Sequence, residues 1–150
     1  MFDIHYDQDA DNPRDWDNLG TLAIKDPGGD EAPNPEFDLS NMIWLPVYRY
    51  EHSAVAYNTT GFHCPWDSGQ TGYIYVSKGD IRREFGWTRI SPSRRSKIEQ
   101  YLREEVRTFS DWANGEVYGW INEETDDSCW GFYGSDHVAS GLMESANEHR

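Results

Sequence analysis

Cysteine is nearly missing from this sequence: Cys64 and Cys129 are the two present, and they lie far apart in the chain. That spacing offers no disulfide framework, and joining His63 and Cys64 to Cys129 and His137 lacks the short ligand separations of a structural zinc site. No apolar run approaches the ~20 residues that a spanning helix needs. Met1 is followed by acids where a secretory signal carries basic residues and an apolar core, so the expected location is cytoplasmic, with both thiols reduced. A phosphate loop, a dinucleotide fingerprint and the strings HExxH, GxSxG and SxxK are all missing. No catalytic residue and no cofactor is therefore expected.

Positive charge is scarce and unevenly placed. Three lysines and ten arginines face fifteen Asp and twelve Glu, for a formal net charge of −14 over 150 residues. Residues 1–40 hold eleven acids against Arg14 and Lys25, and residues 110–149 hold nine acids with no Lys or Arg at all. Between these flanks, residues 78–107 carry nine Lys/Arg against five acids. Solubility or salt adaptation spreads acids over every exposed element, whereas here a net basic helix interrupts them. A field of this sign repels nucleic acid and anionic membrane and steers the chain toward basic surfaces. The basic stretch is expected to pair internally, with the acidic flanks folding back over it, rather than to bind phosphate.

Apolar residues are only 37% of the chain, yet aromatics reach 15% with seven Trp and nine Tyr, so a core of a few large side chains is expected. At this length one domain suffices. The acidic segment 1–18 and the Pro/Gly-rich stretch 26–40 read as irregular, and Asp26 to Pro35 as a mobile loop. A short strand is expected at 20–25. IWLPVYRYE, AVAYNTT and TGYIYVS alternate like strands, and turn residues at 51–53 and 67–69 favour a meander, with Trp66 packed beneath the second turn.

Residues 78–85 read as a short helix closed by Gly86. The strongest helix starts at Ser91-Pro92-Ser93 and stops at Gly115, with Ile98, Leu102, Val106 and Phe109 as its apolar stripe. EVYGWIN and CWGFYG read as two more strands, and the segment after Ser135 as a closing helix capped by that serine. The predicted fold is α+β: an antiparallel sheet with one long amphipathic helix packed across it and short flanking helices.

Asp7, Asp9 and Asp11 alternate as in hard-cation loops, but Asn12 stands where the pattern needs Gly and Asn18 where it needs a bidentate Glu. They are weak metal candidates beside a solvated acidic loop. Cys129-Trp130 resembles a papain-type nucleophile segment, but only 21 residues follow Cys129, too few for the His and Asn of such a protease. Ser68, between Asp67 and Gly69, reads as a turn residue and not as a hydrolase elbow.

Three strings, PRDWDNLGT at 13–21, WDSGQTGYIYVSK at 66–78 and DSCWGFYG at 127–134, resemble a family of small acidic proteins encoded by bacteriophages and other mobile elements. That resemblance implies a host-cell setting and no assigned enzymatic activity. Small acidic phage proteins also resemble inhibitors of host defence, of the anti-CRISPR and anti-restriction kinds, that occupy nucleic-acid-binding surfaces. The expected function is thus a DNA-mimicking inhibitor whose partner is a basic nucleic-acid-binding host protein, with no direct nucleic-acid or membrane contact.

The expected binding acids are Glu123, Glu124, Asp126, Asp127 and Asp136, joined by Asp9, Asp11, Asp15 and Asp17. Two alternatives are an accessory or assembly protein that binds through exposed aromatics, and a divalent-metal-dependent enzyme.

Overall fold

Helix α2, Pro92–Ala113, organises the larger half of the molecule, described here from a computed structural model covering residues 1–34, 38–64 and 66–149. Its start is encoded locally. The Ser91 hydroxyl accepts from Arg94 N, and Pro92 fills the first turn, where its missing N–H is not needed. Its end is encoded too, since Asn114 caps the last turn and Gly115 takes a left-handed φ of +72°. The stripe Ile98, Leu102, Val106 and Phe109 is fully buried. Helix α1, Lys78–Phe85, is closed by left-handed Gly86 as the sequence predicts, and Ser77 is its N-cap, the hydroxyl accepting from Asp80 N.

The strands form two antiparallel sheets, where one was expected. The four-stranded sheet has the order β2-β5-β3-β4, built from β2 Thr21–Ile24, β3 Met42–Glu51, β4 Val55–Asn58 and β5 Ser68–Ser77. Leu22, Ile24, Ile43, Val47, Ile74 and Val76 bury their side chains with the α2 stripe and Ile81. Pro46 is tolerated within β3 because β4 pairs only with Tyr48–Glu51, leaving that side of Pro46 free of ladder bonds. The expected meander fails after β4. Strand β5 crosses to the far side of β3 and pairs with both β3 and β2, so Ser68 and Gly69 are paired strand residues and not a turn. Trp66 is 91% exposed, so nothing packs over it as the turn reading required.

The three-stranded sheet has the order β1-β6-β7, from β1 Asp3–Tyr6, β6 Val117–Asn122 and β7 Asp127–Tyr133. Strand β1 lies in a segment read as irregular, and its four exposed residues explain why no buried pattern announced it. Trp120 is the centre of a second, smaller core with Leu142 and Ala146 of α3, Leu142–Glu148. Helix α3 begins seven residues after Ser135. Its N-cap is Gly141 with no side-chain cap bond, so Ser135 is not a cap, and residues 137–140 form a turn. On the other face Trp130 lies against Gly119, where any side chain would collide with its ring.

The two halves meet at the C-terminal end of α2. Trp112 Nε1 donates to Ala10 O at 3.2 Å, and the Tyr133 hydroxyl donates to Asp11 O at 2.6 Å. No helix among the described residues is long and apolar enough to cross a membrane.

Candidate acidic interaction surface

The turn between β6 and β7 gathers four of the nine expected acids. Asn122, buried at the end of β6, turns its Oδ1 back to accept from Glu124 N at 3.0 Å and Thr125 N at 3.4 Å. That is an Asx-type turn, in which a side chain replaces the missing backbone ladder. Asp126 then adopts φ +60°, a left-handed conformation that Asp tolerates better than most residues. The chain therefore reverses with Glu123, Glu124, Asp126 and Asp127 all exposed. Glu124 lies 3.5 Å from the Met1 ammonium, an exposed pair of small energetic weight.

The other acids sit elsewhere. Strand β1 runs antiparallel to β6 with Asp3 opposite Ile121 and Tyr6 opposite Tyr118, which carries residues 7–11 to the opposite end of the sheet. The six residues of β6 span about 17 Å between these ends. Asp9 and Asp11 are exposed there, and Asp15 and Asp17 follow around the 3₁₀ turn Pro13–Asp15. Asp136 follows β7 at this same end; its Oδ1 accepts from Ala139 N at 3.0 Å and Val138 N at 3.1 Å. Those two bonds hold its carboxyl below the usual carboxylate range, helped by His137 and Arg107. The acids make themselves felt on Tyr133, whose phenol is pushed up by burial and then by Asp11 and Asp7. The nine do not form one continuous array: four lie at one end of the three-stranded sheet, Asp9, Asp11 and Asp136 at the other, and Asp15 and Asp17 beyond it around the 3₁₀ turn, Asp17 facing α1 and α2.

None of the nine is paired with an arginine or lysine among the described residues. The molecule's own cations go to other acids: Arg95 and Arg103 to Glu99, Arg83 to Asp80, and Arg49 to Asp26 and Glu51. The acids of the flanks do not pair with the basic residues of α2 as expected: Arg95 and Arg103 find Glu99 on the helix itself, and the N-terminal flank meets α2 at Glu105 and Trp112 instead.

The N-terminal flank is anchored by the opposite charge pattern. Arg14, 3% exposed in its side chain, reaches Asp30 at 2.5 Å and Glu105 of α2 at 2.9 Å, and donates to Gly20 O at 2.7 Å. Glu105 also accepts from Leu19 N and Gly20 N, and Asp30 from Leu22 N, so both carboxylates are tied on several sides. Burial alone would lower the Arg14 pKa; hydrogen bonds to Asp30 and Glu105 outweigh it and hold the guanidinium charged. Asp30 N and Glu31 N also donate to Leu22 O, and Asn12 donates to Gly28 O, so residues 28–31 of the Pro/Gly-rich stretch are tethered to β2 and Asn12 where a mobile loop was expected. Residues 35–37 of that stretch lie outside the described residues. Arg14 and Asn122 carry no local signal in the sequence. The partners of Arg14 are 16 and 91 positions away, and Asn122 has the pattern of any asparagine at a strand end.

Asp7, Asp9 and Asp11 do not converge. Asp7 Oδ1 instead accepts from Asp9 N at 3.2 Å, and no three His, Cys, Asp or Glu side chains among the described residues come together in a metal-binding group. His63 and Cys64 are on the four-stranded half, whereas Cys129 lies on β7 and His137 beyond it. Both thiols are free and half-buried. The Ser68 hydroxyl donates to Cys64 O, and His137 stacks edge-on to Tyr118 at 4.7 Å, so neither sits in a nucleophile–base pair.

No family model, curated protein or solved structure matches this chain.

Proposed function

We propose that this chain is a phage-type inhibitor that binds the basic, nucleic-acid-holding surface of a host defence protein and does no chemistry of its own. The observation that carries the reading is the β6–β7 turn: four carboxylates on an Asn122-ordered reversal, none neutralised by an internal arginine or lysine. A turn backbone already ordered by Asn122 loses little conformational freedom on binding, so more of the attraction of its acids appears as affinity. Duplex DNA carries one charge per ~1.7 Å, so the ~17 Å between the two acidic patches spans about ten phosphate charges. Two separated acidic patches at the ends of one sheet thus supply a length scale that a DNA-binding groove recognises. The location that fits is the cytoplasm of a host cell, and the reading needs no cofactor.

The test compares the native chain with the variant Glu123→Gln, Glu124→Gln, Asp126→Asn, Asp127→Asn as baits in a bacterial lysate. The native bait should retain a protein that duplex DNA competes off, and the variant should retain less than a tenth of it while unfolding within about 0.5 kcal/mol of the parent, as surface changes do. Equal retention by both baits overturns the reading.

A second reading has its own observation. Trp66 is 91% exposed, Tyr6 63%, Trp16 45% and Trp130 44%, unusually open for such residues, which suits an assembly protein that binds through aromatics. Salt separates the two: charge-led binding weakens steeply from 50 to 200 mM, and aromatic contact barely responds.

A further inference from the structure

We infer that the cleft between the N-terminal segment and helices α1 and α2 is a receptor for an arginine side chain presented on a peptide segment of the partner. The inference deepens the proposed function and rests on its basic partner, but it concerns a different surface from the β6–β7 turn. The cleft holds about 750 Å³, within the usual range of ligand sites. Its walls combine two chemistries. Trp16, Phe85 and Tyr101 supply aromatic surface; Asp17, Glu84 and Glu104 supply carboxylates.

The aromatic wall is built, not incidental. Phe85 stacks on Trp87 at 4.6 Å and lies nearly parallel to Tyr101 at 6.1 Å with 17° between planes, while Trp16 is held edge-on by Tyr133 at 5.0 Å. Two rings of this ladder already take cations: Arg94 lies over Trp87 at 4.8 Å, and Lys97 approaches Tyr101, a wall of the cleft, at 5.9 Å.

Charge selects the ligand's sign. Glu105 is committed to Arg14, and Asp80 to Arg83, the cation that lines the cleft. Asp17, Glu84 and Glu104 have no cationic partner among the described residues; Glu104 only accepts from Gln100 at 3.4 Å. Three uncommitted carboxylates beside the exposed Trp16 indole, with Phe85 and Tyr101 as an apolar wall, fit a planar guanidinium, which stacks on a ring through its face while its edge donates to carboxylates. An ammonium is a compact, strongly hydrated charge and uses the rings less well.

The experiment titrates the native chain, ¹⁵N-labelled, with a capped nine-residue peptide of alternating Gly and Arg, and with its Lys and citrulline counterparts, at about 50 mM salt. The Trp16 indole N–H and the amides of Phe85 and Tyr101 should shift saturably with the Arg peptide, about fivefold less tightly with Lys, and not with the neutral citrulline. Trp16→Ala and, separately, Glu84→Gln with Glu104→Gln should each weaken this binding about tenfold, and the four-residue turn variant should keep it. Shifts confined to residues 122–128 overturn the cleft and leave the turn reading standing. Equal affinity for Lys and Arg, or binding indifferent to Trp16 and to the two glutamates, also overturns it. Peptide bound in the cleft, together with a turn variant that still captures the host protein, keeps the cleft and removes the turn.

Discussion

The two acidic flanks carry similar excess charge and use it in opposite ways. In the N-terminal flank an arginine is sunk among the acids: Arg14 is nearly inaccessible, and Asp30 is spent on holding it together with Glu105 of α2. The C-terminal flank, residues 110–149, has no Lys or Arg, and its turn acids stay exposed around a reversal ordered by a neutral side chain, Asn122. Acid content alone therefore does not identify a binding surface. What distinguishes one is whether the fold provides an internal cation for those acids: it does for Asp30, and among the described residues it provides no Arg or Lys for the turn acids or for Asp9, Asp11, Asp15 and Asp17.

The sharpest way to break the contrast is to remove the internal cation. Arg14→Ala leaves Asp30 and Glu105 charged and partly buried with backbone N–H donors but no counter-charge, which should lower the unfolding free energy by about 3–5 kcal/mol. Urea unfolding measures it, and the double variant with Glu105→Gln should lose less than the sum of the two single losses because the residues form one network. A loss below about 1 kcal/mol would falsify the claim that this triad anchors the flank, by placing it with ordinary surface pairs.

The helices show how far the sequence reaches and where it stops. Ser91, Pro92 and Gly115 bracket α2, and Ile98, Leu102, Val106 and Phe109 mark its buried stripe, all through interactions spanning a few residues. Ser77 and Gly86 bracket α1 in the same way. Strand positions were legible by alternation, but which strand pairs with which was not: β5 leaving β4 to lie between β2 and β3 depends on contacts that no local pattern encodes. The division into two sheets was hidden because β1 is exposed on all four residues. At the candidate surface, the exposure of the turn acids was legible from their density, whereas their separation from Asp9, Asp11 and Asp136 follows from the antiparallel register of β1 on β6.

A smaller effect tests whether the second flank is ordered as described. Asn122→Ala removes the acceptor for Glu124 N and Thr125 N and should cost about 1–2 kcal/mol. Exchange of those two amides should quicken about 5–30-fold, the factor that 1–2 kcal/mol corresponds to, while Asn122→Asp, which keeps an acceptor oxygen, should restore most of the protection. Unchanged exchange in the alanine variant means the turn is held by the strands alone.

The smallest effect lies inside the C-terminal flank, where not every acid is fully exposed. Asp111 is half-buried at the end of α2, and burial, followed by the negative charge of Glu116, pushes its carboxyl above the ordinary range while Arg107 pulls it back. A raised carboxyl pKa means that the folded state holds this proton more tightly than the unfolded chain does. Ionised Asp111 therefore costs stability at neutral pH, and the cost vanishes as the pH falls below the unfolded value. Asp111→Asn should raise Tm by about 2 °C at pH 7, and the gain should shrink toward zero as the pH falls through the carboxylate range, where both side chains are neutral. A lower Tm at pH 7 would mean that attraction to Arg107 outweighs burial and Glu116, so that this flank, too, draws on one of the molecule's own cations.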